Sequence, residues 1–228
     1  MKMSEKIKFT IEELINHVEI SLGKSDQNIS KLNNSILNMR GMSGKKTRHL
    51  YNNICELKNA NYLEIGTWQG SSFISSIYEN ELNAVAVDDW TEFSGPKKIF
   101  FENVKKYVGD YKYNFIEKNC FEIAESDFNE SIDGVDIFLY DGAHDYESQK
   151  KAITFFYKFF SKFVIIMIDD WRGDGNWNGV IQGTYDGIEE SGIKIHKFFE
   201  RKSTQETNGG ENYWNGVGIF ICEKIDEI

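Results

Sequence analysis

The chain has 228 residues, of which 40% are hydrophobic and 27% are charged, and its net charge is -10 at pH 7. This length and composition are those of an ordinary globular protein with one large domain and a hydrophobic core of its own. The negative charge argues against a nucleic-acid partner, because phosphate binding depends on Lys and Arg. The densest basic cluster, Lys45, Lys46 and Arg48, is too short to reverse that conclusion.

The sequence lacks the usual marks of a secreted or membrane protein. The three cysteines, Cys55, Cys120 and Cys222, are odd in number and widely separated, and no CxxC pair is present to bind zinc or exchange disulfides. Residues 1–6 are polar and lead into no apolar segment, so we expect no signal peptide. The longest apolar run, residues 163–168, is too short to cross a bilayer. We therefore expect a cytoplasmic protein without a membrane partner.

The first part of the chain is predicted to be helical. Thr10 is placed to cap a helix, with Glu13 completing a capping box. Apolar residues then recur at helical spacing, at Ile11, Leu14, Ile15 and Val18. A second helix is predicted over residues 47–57. We interpret residues 1–58 as a helical extension, which serves either as a cap and contact between copies of the chain or as padding for one edge of a sheet, and residues 59–228 as the main domain.

From residue 61 onward the pattern alternates between strands and helices. Strands are predicted at residues 62–65, 83–87, 113–116, 135–140, 163–168, 193–199 and 217–222. Helices are predicted at residues 71–78, 96–108, 147–160 and 180–190. Strands that alternate with helices form a parallel sheet covered on both faces, whereas two successive strands form an antiparallel edge. The sequence therefore predicts an α/β fold with a doubly wound, mostly parallel, seven-stranded sheet and an antiparallel C-terminal edge.

A glycine-bearing turn follows the first of these strands. Its spacing, from Glu64 through Gly66 to Gly70, is E-x-G-x-x-x-G, which differs from the dinucleotide and P-loop motifs. Glycines at this point allow a close approach of the backbone to a ligand, although a tight structural turn would have the same pattern. Asp88 ends the second strand about 20 residues later, where an acid binds a ribose in doubly wound folds. Asp89 beside it either shares this role or caps a helix.

Carboxylates also follow two later strands. Asp141 comes directly after the strand at 135–140, and Asp169 and Asp170 follow the strand at 163–168. These strands are expected to be neighbours, so their carboxyl ends bring the three acids together. Crowded carboxylates are unfavourable unless a cation neutralises them, and oxygen ligands suit Mg²⁺, with Ca²⁺ or Mn²⁺ as alternatives. The acids therefore predict a metal site, unless they only cap loops.

Other side chains near these acids suit an acceptor site. Histidine as a residue type titrates near neutral pH, so His144 is a candidate general base, although it could instead bind the metal or orient Asp141. Aromatic residues follow, at Trp171, Trp177, Tyr213 and Trp214. They could wall off an acceptor or simply pack within loops. Arg172 could reach an anionic acceptor or extend into solvent.

The glycine turn, Asp88 and Asp141 together resemble the class I S-adenosylmethionine-dependent methyltransferases, over roughly residues 42–222. The resemblance implies a Rossmann-like fold and an S-adenosylmethionine cofactor. It implies that Asp88 holds the ribose and that Asn119 and Cys120 lie near the adenine, where family members often carry Asp-Ser instead. The other residues implied to bind the cofactor are Glu64, Gly66, Thr67, Trp68, Gly70 and Asp141.

The three acids after the later strands are similar to those of catechol-type and macrocin-type O-methyltransferases. In these families the matching positions hold Mg²⁺, which implies Asp141, Asp169 and Asp170 as ligands. His144 stands where the catechol-type enzymes carry a lysine base, so His144 and Asp141 are the implied catalytic residues. We expect Mg²⁺-dependent O-methylation of a small molecule or glycan, with a sugar hydroxyl favoured by the macrocin-type resemblance.

Three other functions fit parts of the pattern. The first is a metal-independent N- or C-methyltransferase, in which the acids bind a cationic substrate. The second is a non-catalytic module that binds S-adenosylmethionine and regulates a partner. The third is a nicotinamide-dependent oxidoreductase on a similar sheet, against which the glycine spacing argues.

Overall fold

The computed structural model describes residues 7–128, 132–172, 175–202 and 210–225. The predicted absence of a signal peptide concerns residues 1–6, which lie outside these ranges. Within the described part of the chain, no helix is both long enough and apolar enough to cross a membrane.

One seven-stranded sheet organises the fold. Its strands are β1 (Asn61–Ile65), β2 (Asn83–Val87), β3 (Tyr113–Ile116), β4 (Val135–Tyr140), β5 (Phe160–Asp169), β6 (Lys194–Arg201) and β7 (Val217–Glu223). Their spatial order is β3-β2-β1-β4-β5-β7-β6. The pairs from β3 to β5 are parallel, and β7 runs antiparallel to both β5 and β6. This confirms the predicted doubly wound sheet with its antiparallel C-terminal edge.

Seven α-helices accompany the sheet in the described ranges. They are α1 (Ile11–Asp26), α2 (Asn34–Leu37), α3 (Lys45–Ile54), α4 (Ser71–Ile77), α5 (Lys97–Val108), α6 (Tyr146–Phe156) and α7 (Asn178–Glu190). The predicted capping box of α1 is present, since Thr10 and Glu13 bond to each other's backbone N–H groups. Helix α2 was not predicted, because its four residues are too few for a periodic pattern; the side chain of Asn33 caps it.

Alternation along the strands divides the buried side chains into two layers. Strand residues such as Leu139 and Met167 pack with α1, α3, α4 and α5 on the first face. Their neighbours in sequence, such as Phe138 and Ile166, pack with α6 and α7 on the second face. Because successive residues of a strand point to opposite faces, the face of each residue at a strand end follows from its position.

The N-terminal helices are built into the first layer. Leu14 of α1 and Leu50 of α3 are fully buried in the same cluster as the strands. The buried side chain of Arg48 donates hydrogen bonds to the carbonyls of Ile36, Leu37 and Met39, which fixes the segment between α2 and α3. The division of the chain at residue 58 and contacts between copies of the chain stay predictions.

A stripe of three glycines lets α7 pack closely on α6. A side-chain carbon added at Gly179, Gly183 or Gly187 would lie 2.4, 2.5 or 2.7 Å from a backbone atom of α6. No atom of a side chain tolerates such a distance, so the helices are in contact through their backbones. The stripe therefore fixes the start of α7 relative to the start of α6, and both helices begin beside the carboxyl ends of the strands.

Candidate functional site

The glycine turn after β1 is interlocked with two neighbouring strands. Gly66 and Gly70 have φ angles of +84° and +88°, which favour glycine. The N–H of Gly66 donates to the carbonyl of Val87, and the N–H of Asp141 donates to the carbonyl of Ile65, both at 2.9 Å. A side-chain carbon at Gly66 would lie 2.1 Å from the carbonyl oxygen of Asp141. The turn therefore requires glycine at this position.

Asp88 fastens this turn to the end of β2. Its Oδ2 accepts hydrogen bonds from the N–H groups of Thr67 and Trp68, at 3.0 and 2.8 Å, and its Oδ1 accepts one from Trp90 at 2.8 Å. The carboxylate is half-buried and has further acceptor capacity for a ribose hydroxyl. Asp89 instead bonds to Thr91, so Asp88 is the acid beside the turn.

Two buried polar atoms near Asp88 have no hydrogen-bond partner among the described residues. They are the hydroxyl of Thr67, in the turn, and the indole N–H of Trp90. A buried polar group without a partner costs free energy, which a bound ligand can recover. The side chains around the turn therefore fit a polar cofactor such as S-adenosylmethionine. Trp68, with a φ of +42°, lies against the exposed ring of Phe93.

The residues predicted to lie near adenine form a short turn after β3. The side chain of Asn119 accepts a hydrogen bond from the N–H of Phe121 at 3.0 Å. Cys120 is half-buried, and burial raises the pKa of its thiol to about 12. The thiol therefore stays protonated at neutral pH and is not a nucleophile. The adenine contacts of both residues stay a prediction.

Glu64 lies beneath the turn and is fully buried. The hydroxyls of Tyr62 and Ser72 donate to its two carboxylate oxygens, that of Ser72 at 2.6 Å. Burial raises the pKa of Glu64 from 4.5 to about 7, against the effect of these two hydrogen bonds. The direct contact of Glu64 with the cofactor stays a prediction, since its side chain is fully buried beneath the turn.

The structure brings together two of the three predicted metal ligands and His144. Ligand atoms of Asp141, His144 and Asp170 all lie within 4.8 Å of one another. The Nε2 of His144 contacts Oδ2 of Asp170. The side-chain amide of Asn215 donates a hydrogen bond to Oδ1 of Asp170 at 2.5 Å. Asp169 is not part of this group, and its role as a ligand stays a prediction.

The separation of Asp169 from Asp170 has a geometric cause. Asp169 continues the alternation of β5 and is buried on the first face, with the N–H of Asp170 donating to it at 2.9 Å. Asp170 has a φ of +54°, which turns the chain sharply and aims its carboxylate at His144. Adjacent acids therefore occupy different parts of the site.

Burial and the crowding of carboxylates at this site raise the pKa values of Asp141 and Asp169. Burial is the largest cause for both Asp141 and Asp169, and the charge of Asp170 adds to it in each case. The other charges that act on the two groups are also those of carboxylates. Such a group favours a cation. Two carboxylates and an imidazole suit Mn²⁺ and similar ions, whereas Mg²⁺ prefers oxygen ligands alone.

The four predicted aromatic residues have different surroundings. Trp177 lies 6.2 Å from His144 between ring centres, and its buried indole N–H has no partner among the described residues. The guanidinium of Arg172 lies 4.6 Å from the centre of the Trp177 ring.

Trp171 is instead buried against Gly218, and the hydroxyl of Tyr213 bonds to the side chains of Ser25 and Asp26. Trp214 bonds through its backbone to Thr47. Trp177 is therefore the one of these four beside the acidic group.

The raised pKa of Glu64 predicts how stability depends on pH. Its folded pKa of about 7 exceeds 4.5, so its contribution to the free energy of unfolding is present below pH 4.5 and lost as the pH rises to about 7. The variant Glu64→Gln should therefore gain about 3 kcal/mol over the wild type between pH 4.5 and pH 8. Urea unfolding without ligands measures this difference.

Two histidines do not affect this comparison of the variant with the wild type. The pKa values of His17 and His49 are lowered by burial and act in the opposite direction, but they act equally in both proteins and cancel in the difference. A constant difference between variant and wild type at the two pH values would contradict the raised pKa of Glu64.

Two residues of the site were not found from the sequence. Asn215, which bonds to Asp170, follows 45 positions later in the chain, in the loop before β7. Tyr51 of α3 is fully buried, and the charge of Asp169 acts on its hydroxyl. The glycine at 216 after Asn215 signals a turn, but neither residue carries a motif that assigns it to the site.

A family model described as a methyltransferase domain matches residues 63–171. An uncharacterized protein of Acanthamoeba polyphaga mimivirus is 27% identical over 153 residues, which cover 62% of this chain. The match spans 66% of that relative, less than two thirds of its length.

Solved structures with the same fold include two O-methyltransferases. One, from Bacillus cereus in complex with S-adenosylhomocysteine, has a TM-score of 0.61 and 14% identity, over 92% of this chain and 100% of that one. The other, from Streptomyces achromogenes and involved in tomaymycin synthesis, has a TM-score of 0.60 and 13% identity, over 92% and 99%. At these identities the likeness establishes the Rossmann-like fold.

Proposed function

We propose that this chain, whose family match and fold support an S-adenosylmethionine-dependent methyltransferase, is an O-methyltransferase that acts on a small molecule or sugar with the help of a divalent cation. The observation that carries the proposal is the convergence of Asp141, His144 and Asp170 at the end of the sheet where the glycine turn also lies. This combines a cofactor site, a cation site and a candidate base.

The cofactor site consists of the glycine turn and the acid that fastens it. Gly66 lies in contact with the backbone of Asp141, so the turn and the acidic group are adjacent. Asp88 is in position to accept hydrogen bonds from a ribose, and Thr67 supplies a hydroxyl that has no partner in the described protein. We therefore place the methyl donor between Asp88 and Asp141.

Asp141 and Asp170 are the residues that would hold a divalent cation, with either His144 or Asp169 as the third ligand. When bound, the ion would lower the pKa of an acceptor hydroxyl and fix its position. If His144 is a ligand, the donor set favours Mn²⁺ and similar ions; if His144 is free, the all-oxygen set favours Mg²⁺.

His144 is the candidate general base. Its side chain is about one-third exposed, its buried Nε2 contacts Asp170, and its ring lies 6.2 Å from that of Trp177. His144 would take the proton that the acceptor hydroxyl loses as the hydroxyl oxygen attacks the methyl group, whose bond to sulfur breaks and leaves S-adenosylhomocysteine. The adjacent Trp177 offers an aromatic face and an indole N–H to the acceptor, which suits a sugar or another polyol.

Two alternatives keep the cofactor but change the chemistry. A metal-independent N- or C-methyltransferase would use the same acids for a cationic substrate, and a non-catalytic module would bind the cofactor without transferring its methyl group. The mixed group of two carboxylates and an imidazole favours the metal-dependent proposal over both. A cytoplasmic location stays part of the proposal, as does the absence of nucleic-acid and membrane partners.

Thermal unfolding tests the proposal. A ligand at 100 times its Kd adds about 2.7 kcal/mol to the free energy of unfolding, which raises the Tm of a protein of this size by roughly 5–10 °C. We expect such a rise with S-adenosylmethionine and a further rise when Mn²⁺ or Mg²⁺ is added. No rise with the cofactor would refute the methyl-donor site, and no further rise with either ion would favour the metal-independent alternatives.

A further inference from the structure

Three acidic side chains lie on the same face of the sheet as helix α3. Each acid comes two positions after a residue of the first core layer: Glu64 after Tyr62, Asp141 after Leu139 and Asp169 after Met167. Since alternate residues of a strand share a face, the three acids project toward α3. Asp170 faces away from this layer and lies with His144.

Helix α3 places Tyr51 over these acids. Tyr51 is fully buried, and one turn earlier Thr47 accepts a hydrogen bond from the N–H of Trp214 at 3.2 Å. This contact joins α3 to the loop that precedes β7, whose Asn215 holds Asp170. The start of α3 is therefore tied to the loop that holds Asp170, and the carboxylates of Asp169, Asp141 and Glu64 act on the Tyr51 hydroxyl.

The hydroxyl of Tyr51 makes no hydrogen bond in standard geometry among the described residues, and the carboxylate of Asp169 is near enough to accept its hydrogen, which leaves the hydroxyl oxygen without a donor. The charges that act on it are those of Asp169, Asp141 and Glu64, in that order, and with burial they raise its pKa. A buried hydroxyl without a partner costs free energy, and so does a group of buried carboxylates without a cation. One ligand that carries a positively charged hydrogen-bond donor would relieve both costs.

We propose that Tyr51 contacts the bound methyl donor, with its hydroxyl oxygen accepting a hydrogen bond from the α-ammonium group of the methionyl portion. This inference rests on the proposed function, because it assumes that S-adenosylmethionine is the cofactor. The N-terminal helices then contribute a binding residue to the site as well as covering the sheet.

In the proposed arrangement the Tyr51 hydroxyl gains a hydrogen-bond donor and the carboxylates gain a positive charge. The ammonium group donates to the oxygen of Tyr51, and the phenolic hydrogen is free to turn toward the carboxylate of Asp169. The positive charge lies beside Asp169 and Glu64, whose mutual repulsion it reduces, and in this arrangement His144, not Asp169, is the third ligand of the divalent cation. No proton or bond changes hands, so Tyr51 acts only on affinity and on the placement of the donor.

Two ligands that differ at the methionyl end test the inference. S-adenosylhomocysteine carries the ammonium group, whereas 5′-methylthioadenosine has the same nucleoside and a thioether but lacks it. We expect Tyr51→Phe to weaken S-adenosylhomocysteine by about ten- to a hundredfold, the loss of one hydrogen bond to a charged group. Binding of methylthioadenosine should change less than about twofold. Isothermal titration calorimetry measures both.

The stability of the ligand-free variant provides a second readout. Because the Tyr51 hydroxyl makes no hydrogen bond in standard geometry and is near only a carboxylate, Tyr51→Phe should lower the Tm by less than the control described next. The matched control is Tyr111→Phe, which removes a hydroxyl that donates to the carbonyl of Leu82 at 2.8 Å, away from the acids. This control should lower the Tm and leave both affinities unchanged.

The possible results distinguish a failure of the inference about Tyr51 from a failure of the proposed function. Equal binding of S-adenosylhomocysteine by Tyr51→Phe and wild type would overturn the inference, and so would an equal loss of both ligands. If the wild type bound neither ligand, the proposed function would fail and the inference with it.

Discussion

Gly66→Ala is expected to destabilise the protein by about 3 kcal/mol or more and to abolish binding of S-adenosylmethionine. The φ of +84° is unfavourable for alanine, and the new methyl group would lie 2.1 Å from the carbonyl oxygen of Asp141. That oxygen belongs to a backbone that β1 and β4 hold through the bond from Asp141 to Ile65. The clash therefore has to be relieved by moving the turn itself. Urea unfolding and calorimetric titration measure the two effects.

A second glycine offers a matched control for this substitution. Gly23 lies in helix α1, has no positive φ, and has no atom within 4 Å of the position that a methyl group would take. Gly23→Ala should stabilise the protein by up to about 1 kcal/mol, because alanine favours the helix. Normal cofactor binding by Gly66→Ala would show that the turn is not part of the site.

Asp170→Asn is expected to weaken Mn²⁺ binding by about a hundredfold or more, since removing a direct ligand costs at least as much as removing a supporting residue. Methyl transfer should fall by roughly a thousandfold, because the ion supplies several kcal/mol of stabilisation. Asparagine tolerates the φ of +54° and can still accept the hydrogen bond from Asn215. The fold should therefore persist, which a Tm within a few degrees of the wild type would show.

A comparison with His144→Ala assigns the role of the imidazole. If His144 is the base, this variant keeps its affinity for Mn²⁺ and loses about 10²- to 10⁴-fold in turnover. If His144 is a ligand, affinity and turnover fall together. Asp110→Asn, which changes an exposed acid in the turn after α5, is the control for a general loss of negative charge. Unaltered Mn²⁺ affinity in Asp170→Asn would rule out the cation site described above.

The strands could be predicted well because burial imposes a simple pattern on them. The bounds of β2, β3 and β4 agree with those expected from runs of apolar residues. Strand β5 begins at Phe160, earlier than the predicted start at residue 163. The prediction missed this start because the polar residues Ser161 and Lys162 interrupt the apolar run. Those residues still belong to the strand, since Phe160 pairs with Val135 of β4.

The site was predictable in its location but not in its detailed arrangement. Parallel strands place Asp141 and the pair Asp169 and Asp170 at one edge of the sheet, which the topology rule anticipates. The rule does not say which acids converge. That depends on the φ of +54° at Asp170, a backbone choice that the loop before β7 supports through Asn215.

Residues that join the site through tertiary contacts left no mark in the sequence. Tyr51 lies in a helical pattern in which every apolar residue looks like core, and its unpartnered hydroxyl emerges only when α3 is placed over the sheet. Trp171 shows the reverse case. It follows the acids directly, yet it fills the space that Gly218 leaves on the second face and contributes to the core.

The glycine stripe of α7 has a consequence for attempts to redesign the proposed acceptor site. Trp177 immediately precedes α7 and His144 comes just before α6, so the spacing of the two helices also sets the distance between these two side chains. Gly179, Gly183 and Gly187 are not proposed to contact an acceptor, yet any side chain there would force the helices apart. Libraries for directed evolution should vary the residues beside His144 and Trp177 and leave these three glycines unchanged.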